Sequence, residues 1–159
     1  SQVWIPLRVK SFYLIGSSFG GPAVCQLSEM PSVKKVIALS PVLNWQTESI
    51  DEPFDKMVRF TMEGFGMGTR LKSMKDWQKL LRRGFYSFPD TLSTAAKKKI
   101  FLMHCFDDTV VPIGPAIDAV KTHKILQYYF KPHGGHLGLS HLTQLFFWHK
   151  IKKFLDAKG

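Results

Sequence analysis

Apolar positions cluster into four short runs, Phe12–Ile15, Val36–Leu39, Ile100–His104 and Ile125–Phe130, each of strand length. The runs around Val36 and Ile100 are almost continuously apolar, as expected for parallel strands covered on both faces. Helical patterns follow three of them, over Phe19–Met30, Ile113–Thr122 and Leu139–Ala157. In the last, Leu142, Leu145, Phe146, His149 and Phe154 fall roughly on one face, and lysines occupy the rest. Strands alternating with helices predict an α/β class: a mostly parallel sheet flanked by helices.

Asn44–Lys99 breaks that alternation as a long insertion between the second and third strands. Helical patterns run over Asp55–Phe65 and Ser73–Arg83, separated by Gly64–Gly68, and Ser73 with Asp76 resembles a capping box. Within it, Trp45–Pro89 carries more large apolar side chains than two short helices can bury between themselves. A helical cap over about 45–90 is the expectation, with Trp45, Phe65 and Trp77 as candidate substrate-binding residues. Packing of the same residues on the sheet is the blander alternative.

At 159 residues and 45% hydrophobic composition, the chain suits one globular domain. Its net charge of +10 changes little, because the basic residues come in short groups such as Lys34-Lys35 and Lys97-Lys98-Lys99. Several stand late in expected helices, where cations complement the helix dipole, and none is joined to base-reading residues. A solvated surface is therefore expected rather than a nucleic-acid face. No apolar run reaches about 18 residues, so no membrane span is expected. Cys25 and Cys105 lie on apolar segments without CxxC spacing, which reads as buried free thiols and a reducing, cytoplasmic compartment.

The candidate chemistry stands directly after three of the strands. Gly16-Ser17-Ser18-Phe19-Gly20 fits G-x-S-x-G, a tight strand-to-helix turn that lifts a serine hydroxyl out of the sheet edge. Small residues are expected two positions before and after that serine. Only Ser18 has glycine on both sides at that spacing, so it is the candidate nucleophile over Ser17. A glycine-rich turn serving a phosphate, or nothing, is the competing reading. His104-Cys105-Phe106-Asp107-Asp108 ends the third strand on the edge where α/β sheets bind ligands. Either aspartate there could orient an imidazole or cap the next helix. His104 and Cys105 lack a second ligand pair for a metal, and neither a metal nor a cofactor is expected. Gly134-Gly135-His136 follows the fourth strand, where a glycine-flanked imidazole can shuttle a proton; His133 and His141 compete for that role.

The order Ser, Asp, His, each after a strand, resembles the α/β-hydrolase superfamily. The resemblance rests on Gly16–Gly21, Asp108 with Val111-Pro112, and Gly135-His136, and covers nearly the whole chain. The Val-Pro pair and the doubled glycine are similar to its esterase and prolyl-oligopeptidase-like branches. The 90 positions from Ser18 to Asp108 suit a member with a cap inserted, and 28 separate Asp108 from His136. What the resemblance implies is a partial α/β-hydrolase fold and a serine hydrolase cleaving a small-molecule carboxylic ester, less readily an amide. In it Ser18 attacks, His136 moves the proton, Asp108 orients His136, and the Phe19 amide helps bind the oxyanion. A non-catalytic small-molecule-binding protein of the same fold, or an inactive fragment, is the alternative. The resemblance begins at the elbow strand, so the strands and second oxyanion donor that precede it in the family are expected elsewhere. A longer parent, a separate N-terminal half or a homo-oligomer would supply them, since Val3–Val9, interrupted by Pro6, offers at most an edge strand.

Overall fold

In the computed structural model the residues described are 10–44, 92–136 and 141–157, with the backbone alone for 141–146, and the isolated positions 47, 63, 73, 75, 76 and 79. One four-stranded sheet runs in the order β1-β2-β3-β4. Its strands are β1 (Phe12–Ser17), β2 (Val33–Leu39), β3 (Ile100–Cys105) and β4 (Gln127–Lys131), and every neighbouring pair is parallel. Helix α1 (Gly20–Leu27) follows β1, α2 (Thr94–Lys98) precedes β3, α3 (Gly114–Lys121) follows β3, and α4 (His141–Asp156) follows β4. This is the parallel, helix-flanked sheet that the strand pattern predicts.

Period-two alternation along β3 divides the core. Ile100 and Leu102 pack with Val36 and Ala38 of β2, Cys25 of α1, Ala96 of α2 and Ala116 of α3. Phe101, Met103 and Cys105 face the other way, onto Ile37 and onto Phe147, Ile151 and Phe154 of α4. All six β3 residues are buried, which explains the nearly continuous apolar run. Each large aliphatic side chain so buried contributes roughly 1.5–3 kcal/mol. β1 differs: among the described residues it pairs with β2 alone, and Phe12, Tyr13 and Ile15 are exposed.

Several local expectations need correction. Among the described side chains of α4 the buried ones are Phe147, Ile151 and Phe154, a spacing of four and three, so Phe154 is on the buried face as expected and His149 is exposed, while Leu142, Leu145 and Phe146 lie outside the described side chains. Two residues along a helix turn about 200°, so a stripe containing Phe147 cannot contain His149. α2 was hidden inside the expected insertion because five residues are too few to show a period. Its sign is Ser93, whose hydroxyl accepts from the Ala96 amide at 3.1 Å as an N-cap. The Ser93 amide and hydroxyl in turn donate to the Glu29 carboxylate at 2.6 and 2.9 Å.

Two lysines do more than face water. Lys35 Nζ donates to the Phe154, Leu155 and Ala157 carbonyls at 2.5, 3.1 and 2.5 Å, and Lys99 Nζ to those of Ser28 and Met30 at 2.8 and 3.2 Å. Both close helix C-termini, where carbonyls lack intrahelical partners and cations oppose the dipole.

Cys25 and Cys105 are buried free thiols, and desolvation pushes Cys25 up to about 12 and also raises Cys105. Neither is a ready nucleophile. Ser73 accepts from the Asp76 amide at 3.2 Å and donates to its carboxylate at 2.8 Å, close to the expected capping box. The rest of the expected cap, with Trp45, Phe65 and Trp77, lies outside the described residues, as does Val3–Val9. Among the described residues no helix is long and apolar enough to cross a membrane.

Candidate active site

The C-terminal ends of β1, β3 and β4 present the candidate residues along one edge of the sheet. Register carries Ser17 across to Leu39, Met103 and Tyr129, so Ser18 leaves β1 level with the strands that lead to Asp108 and His136.

Ser18 has φ of 49°, in the left-handed region that L-residues avoid. Such a residue costs on the order of 1–3 kcal/mol and persists where its surroundings over-determine it. Here its amide donates to the Leu39 carbonyl at 2.9 Å, and its carbonyl accepts from the Gly21 and Val42 amides, both at 3.1 Å. A Cβ on Gly16 would lie 2.4 Å from the Gly20 carbonyl oxygen and 2.7 Å from Val24 Cγ2, and one on Gly21 would lie 2.2 Å from Pro41 Cβ. At Gly20 a Cβ would meet nothing within 4 Å among the described residues. The steric need for glycine therefore falls on Gly16 and Gly21 and, among the described residues, not on Gly20. Phe19, the N-cap of α1, already has helical backbone angles, and its side chain is exposed.

The acid loop is closed by its own backbone. Asp108 Oδ1 accepts from the Val110 and Val111 amides at 3.0 and 2.8 Å. Its Oδ2 lies 2.9 Å from His136 Nδ1. An ionised carboxylate only accepts, so Nδ1 carries the proton and Nε2 is left for other chemistry. Burial alone would raise the Asp108 pKa. Hydrogen bonds from His104, His136 and the Val111 amide, with the charge of His136, outweigh it and hold the carboxyl well below the usual range.

Asp107 neither caps α3 nor simply faces solvent. Its carboxylate accepts from the Gly134 and Gly135 amides at 3.1 and 2.8 Å and so ties the β4 loop to the β3 loop. Those bonds, the Gly135 one first, hold its carboxyl below the ordinary value. Gly135, at φ of 60°, makes the turn that delivers His136 to Asp108. The competing His133 stands exposed, with Nδ1 3.6 Å from Asp107 Oδ2. The two neighbouring aspartates thus divide the work. Asp108 meets the imidazole, and Asp107 holds the loop that carries it.

Sequence reasoning weighed His104 only as a metal ligand. It is buried, and its Nε2 lies 2.8 Å from the Val111 carbonyl and 3.3 Å from Asp108 Oδ2. The available signal was a lone polar residue in an otherwise apolar strand. Among the described residues no hydrogen bond joins Ser18 to His136, and no cluster of three or more His, Cys, Asp or Glu side chains could hold a metal ion.

No protein-family model and no curated protein matches the chain. Solved structures do match. A meta-cleavage product hydrolase variant is 16% identical with a TM-score of 0.58, over 95% of this chain and 67% of its own. An esterase of Pyrococcus furiosus is 18% identical with a TM-score of 0.56, over 92% of this chain and 53% of its own. A lipase-esterase related protein of Clostridium acetobutylicum is 18% identical with a TM-score of 0.57, over 91% of this chain and 66% of its own. The chain thus spans between half and two thirds of the length of these proteins, and at such identities the likeness is one of fold.

Proposed function

We infer that this chain, whose fold is that of the α/β-hydrolases, is a serine hydrolase acting on carboxylic esters. The observation that carries the reading is the 2.9 Å bond from His136 Nδ1 to the buried carboxylate of Asp108. It stands on the same sheet edge as Ser18, a serine held in a left-handed turn.

In this reading His136 Nε2 takes the proton of Ser18 Oγ as the oxygen attacks the ester carbonyl. Asp108 keeps the imidazole in the required tautomer and stabilises the imidazolium. The developing oxyanion is met by the Phe19 amide, at the start of α1, where the dipole favours negative charge. Collapse breaks the ester C–O bond, and His136 gives its proton to the leaving alkoxide. Water, deprotonated by His136, then releases the acid and restores Ser18. In the same reading the segment 45–90 is the candidate cap, with Trp45, Phe65 and Trp77 as its candidate substrate-binding residues.

The test is a fluorophosphonate probe on the purified protein, with peptide mapping, alongside hydrolysis of a short p-nitrophenyl ester. An adduct on Ser18 that disappears in Ser18→Ala is the expected result. An adduct on Ser17, or a folded protein that takes no adduct and turns over no ester, refutes the reading. The second outcome would leave a binding protein of the same fold.

A further inference from the structure

We propose that His104 is a positioning residue of this site: its Nε2–H bridges the Val111 carbonyl and Asp108 Oδ2 and so holds the carboxylate that orients His136. The inference rests on the pairing of Asp108 with His136 described above.

His104 is 1% exposed. It shares its face of β3 with Ile100 and Leu102, the face onto which α1, α2 and α3 pack. A polar ring is costly there unless its nitrogens are satisfied. One is not: Nδ1 is buried with no hydrogen-bond partner among the described residues. A phenylalanine would fill much the same space without that unpaired nitrogen, so what histidine alone adds is its other nitrogen. Nε2 lies 2.8 Å from the Val111 carbonyl oxygen, which can only accept, so the proton is on Nε2. The same N–H reaches Asp108 Oδ2 at 3.3 Å.

Val111 is therefore used twice. Its amide donates to Asp108 Oδ1 at 2.8 Å, and its carbonyl accepts from His104. The acid loop is locked to β3 at both ends of one peptide-to-carboxylate ring, and Asp108 has no freedom to turn away from His136. Oδ2 is also shared by two imidazoles, at 2.9 Å for His136 and 3.3 Å for His104. The bridge thus fixes the carboxylate that holds His136.

The other ionisable groups nearby are otherwise engaged. Asp107 is bound to the Gly134 and Gly135 amides and faces His133. Lys131 on β4 lies over the Phe147 ring on the α4 side of the sheet. Asp118 and Lys121 of α3 are exposed, and the Cys25 thiol stays protonated.

The experiment records long-range proton–nitrogen spectra of the histidines in the wild type, with kcat and KM on a p-nitrophenyl ester for the wild type, His104→Phe and His104→Gln. In the wild type the spectra should show His104 as the Nε2–H tautomer. His104→Phe is expected to lower kcat about ten- to hundredfold with KM unchanged, the pattern of a lost orienting contact. Glutamine, whose Nε2 carries a donor at similar reach, should return kcat toward wild type. The tautomer decides the matter even if the phenylalanine variant does not fold. An Nδ1–H tautomer, an unchanged kcat in folded His104→Phe, or a glutamine variant as impaired as phenylalanine overturns the proposal. A wild type that turns over no ester and takes no fluorophosphonate refutes the hydrolase reading alone, since the spectra still report on His104.

Discussion

β1 and β3 each lead into a candidate site residue, yet they are held in different ways. β3 lies between β2 and β4, is buried at every position, and sends alternate side chains into two packed clusters. Past its end, the acid loop is bound by backbone amides, by His136 and by His104. β1 sits at the edge of the described sheet with Tyr13 60% and Ile15 51% exposed. Its serine turn hangs on β2 through the Leu39 carbonyl and the Val42 amide. The acid–histidine half of the site is therefore organised by this chain's own core. The candidate serine is held by a short turn whose strand has one side uncovered among the described residues.

The sharpest way to break the comparison is within the β3 loop itself. Asp108→Asn is expected to lower kcat about 10⁴-fold, because the amide no longer holds the imidazole in the Nδ1–H tautomer. Asp107→Asn should cost far less, about tenfold, since an amide oxygen still accepts one of the two glycine amides. Steady-state kinetics on one ester compare them, and an equal or larger loss from Asp107 would reverse the division of roles.

Stability sets the two strands against each other directly. Leu102→Ala, on fully buried β3, should cost about 2–5 kcal/mol in urea unfolding. Ile15→Ala on β1 should cost below about 1 kcal/mol. Comparable losses at both positions would show that β1 is covered in solution.

A smaller effect is expected in acid. The Asp108 carboxyl is lowered in the folded protein, so its contribution to stability is full above its unfolded pKa of about 3.9 and is lost as pH falls below that toward the folded value. Wild type should accordingly lose urea resistance as pH falls from about 5 to about 2, and Asp108→Asn should lose less over the same range. An identical slope in both would assign the acid sensitivity to other carboxylates.

Much of this was legible in the chain. The continuous apolar runs marked the buried strands because a strand covered on both faces has no position for a polar side chain. His104 was the exception visible in plain sequence, although its meaning was not. His149 was misplaced on the buried face of α4 because periodicity alone does not say which apolar positions set that face, and Phe147, two residues away, is one that does. α2 escaped notice because a single turn and a half has no period, only the cap at Ser93.

By itself the sequence determined the strand and helix order, the parallel sheet, and the serine turn, the aspartate pair and the glycine-flanked histidine that stand after three strands. These depend on local pattern and on residue types that only certain turns accept. Tertiary structure alone decided how Asp107 and Asp108 divide their partners, which glycines of the turn are sterically required, and that His104 Nε2 reaches the acid loop. Each of these depends on the distance between atoms from separate strands and loops. A chain read one residue at a time carries no measure of that distance until the sheet has brought them together.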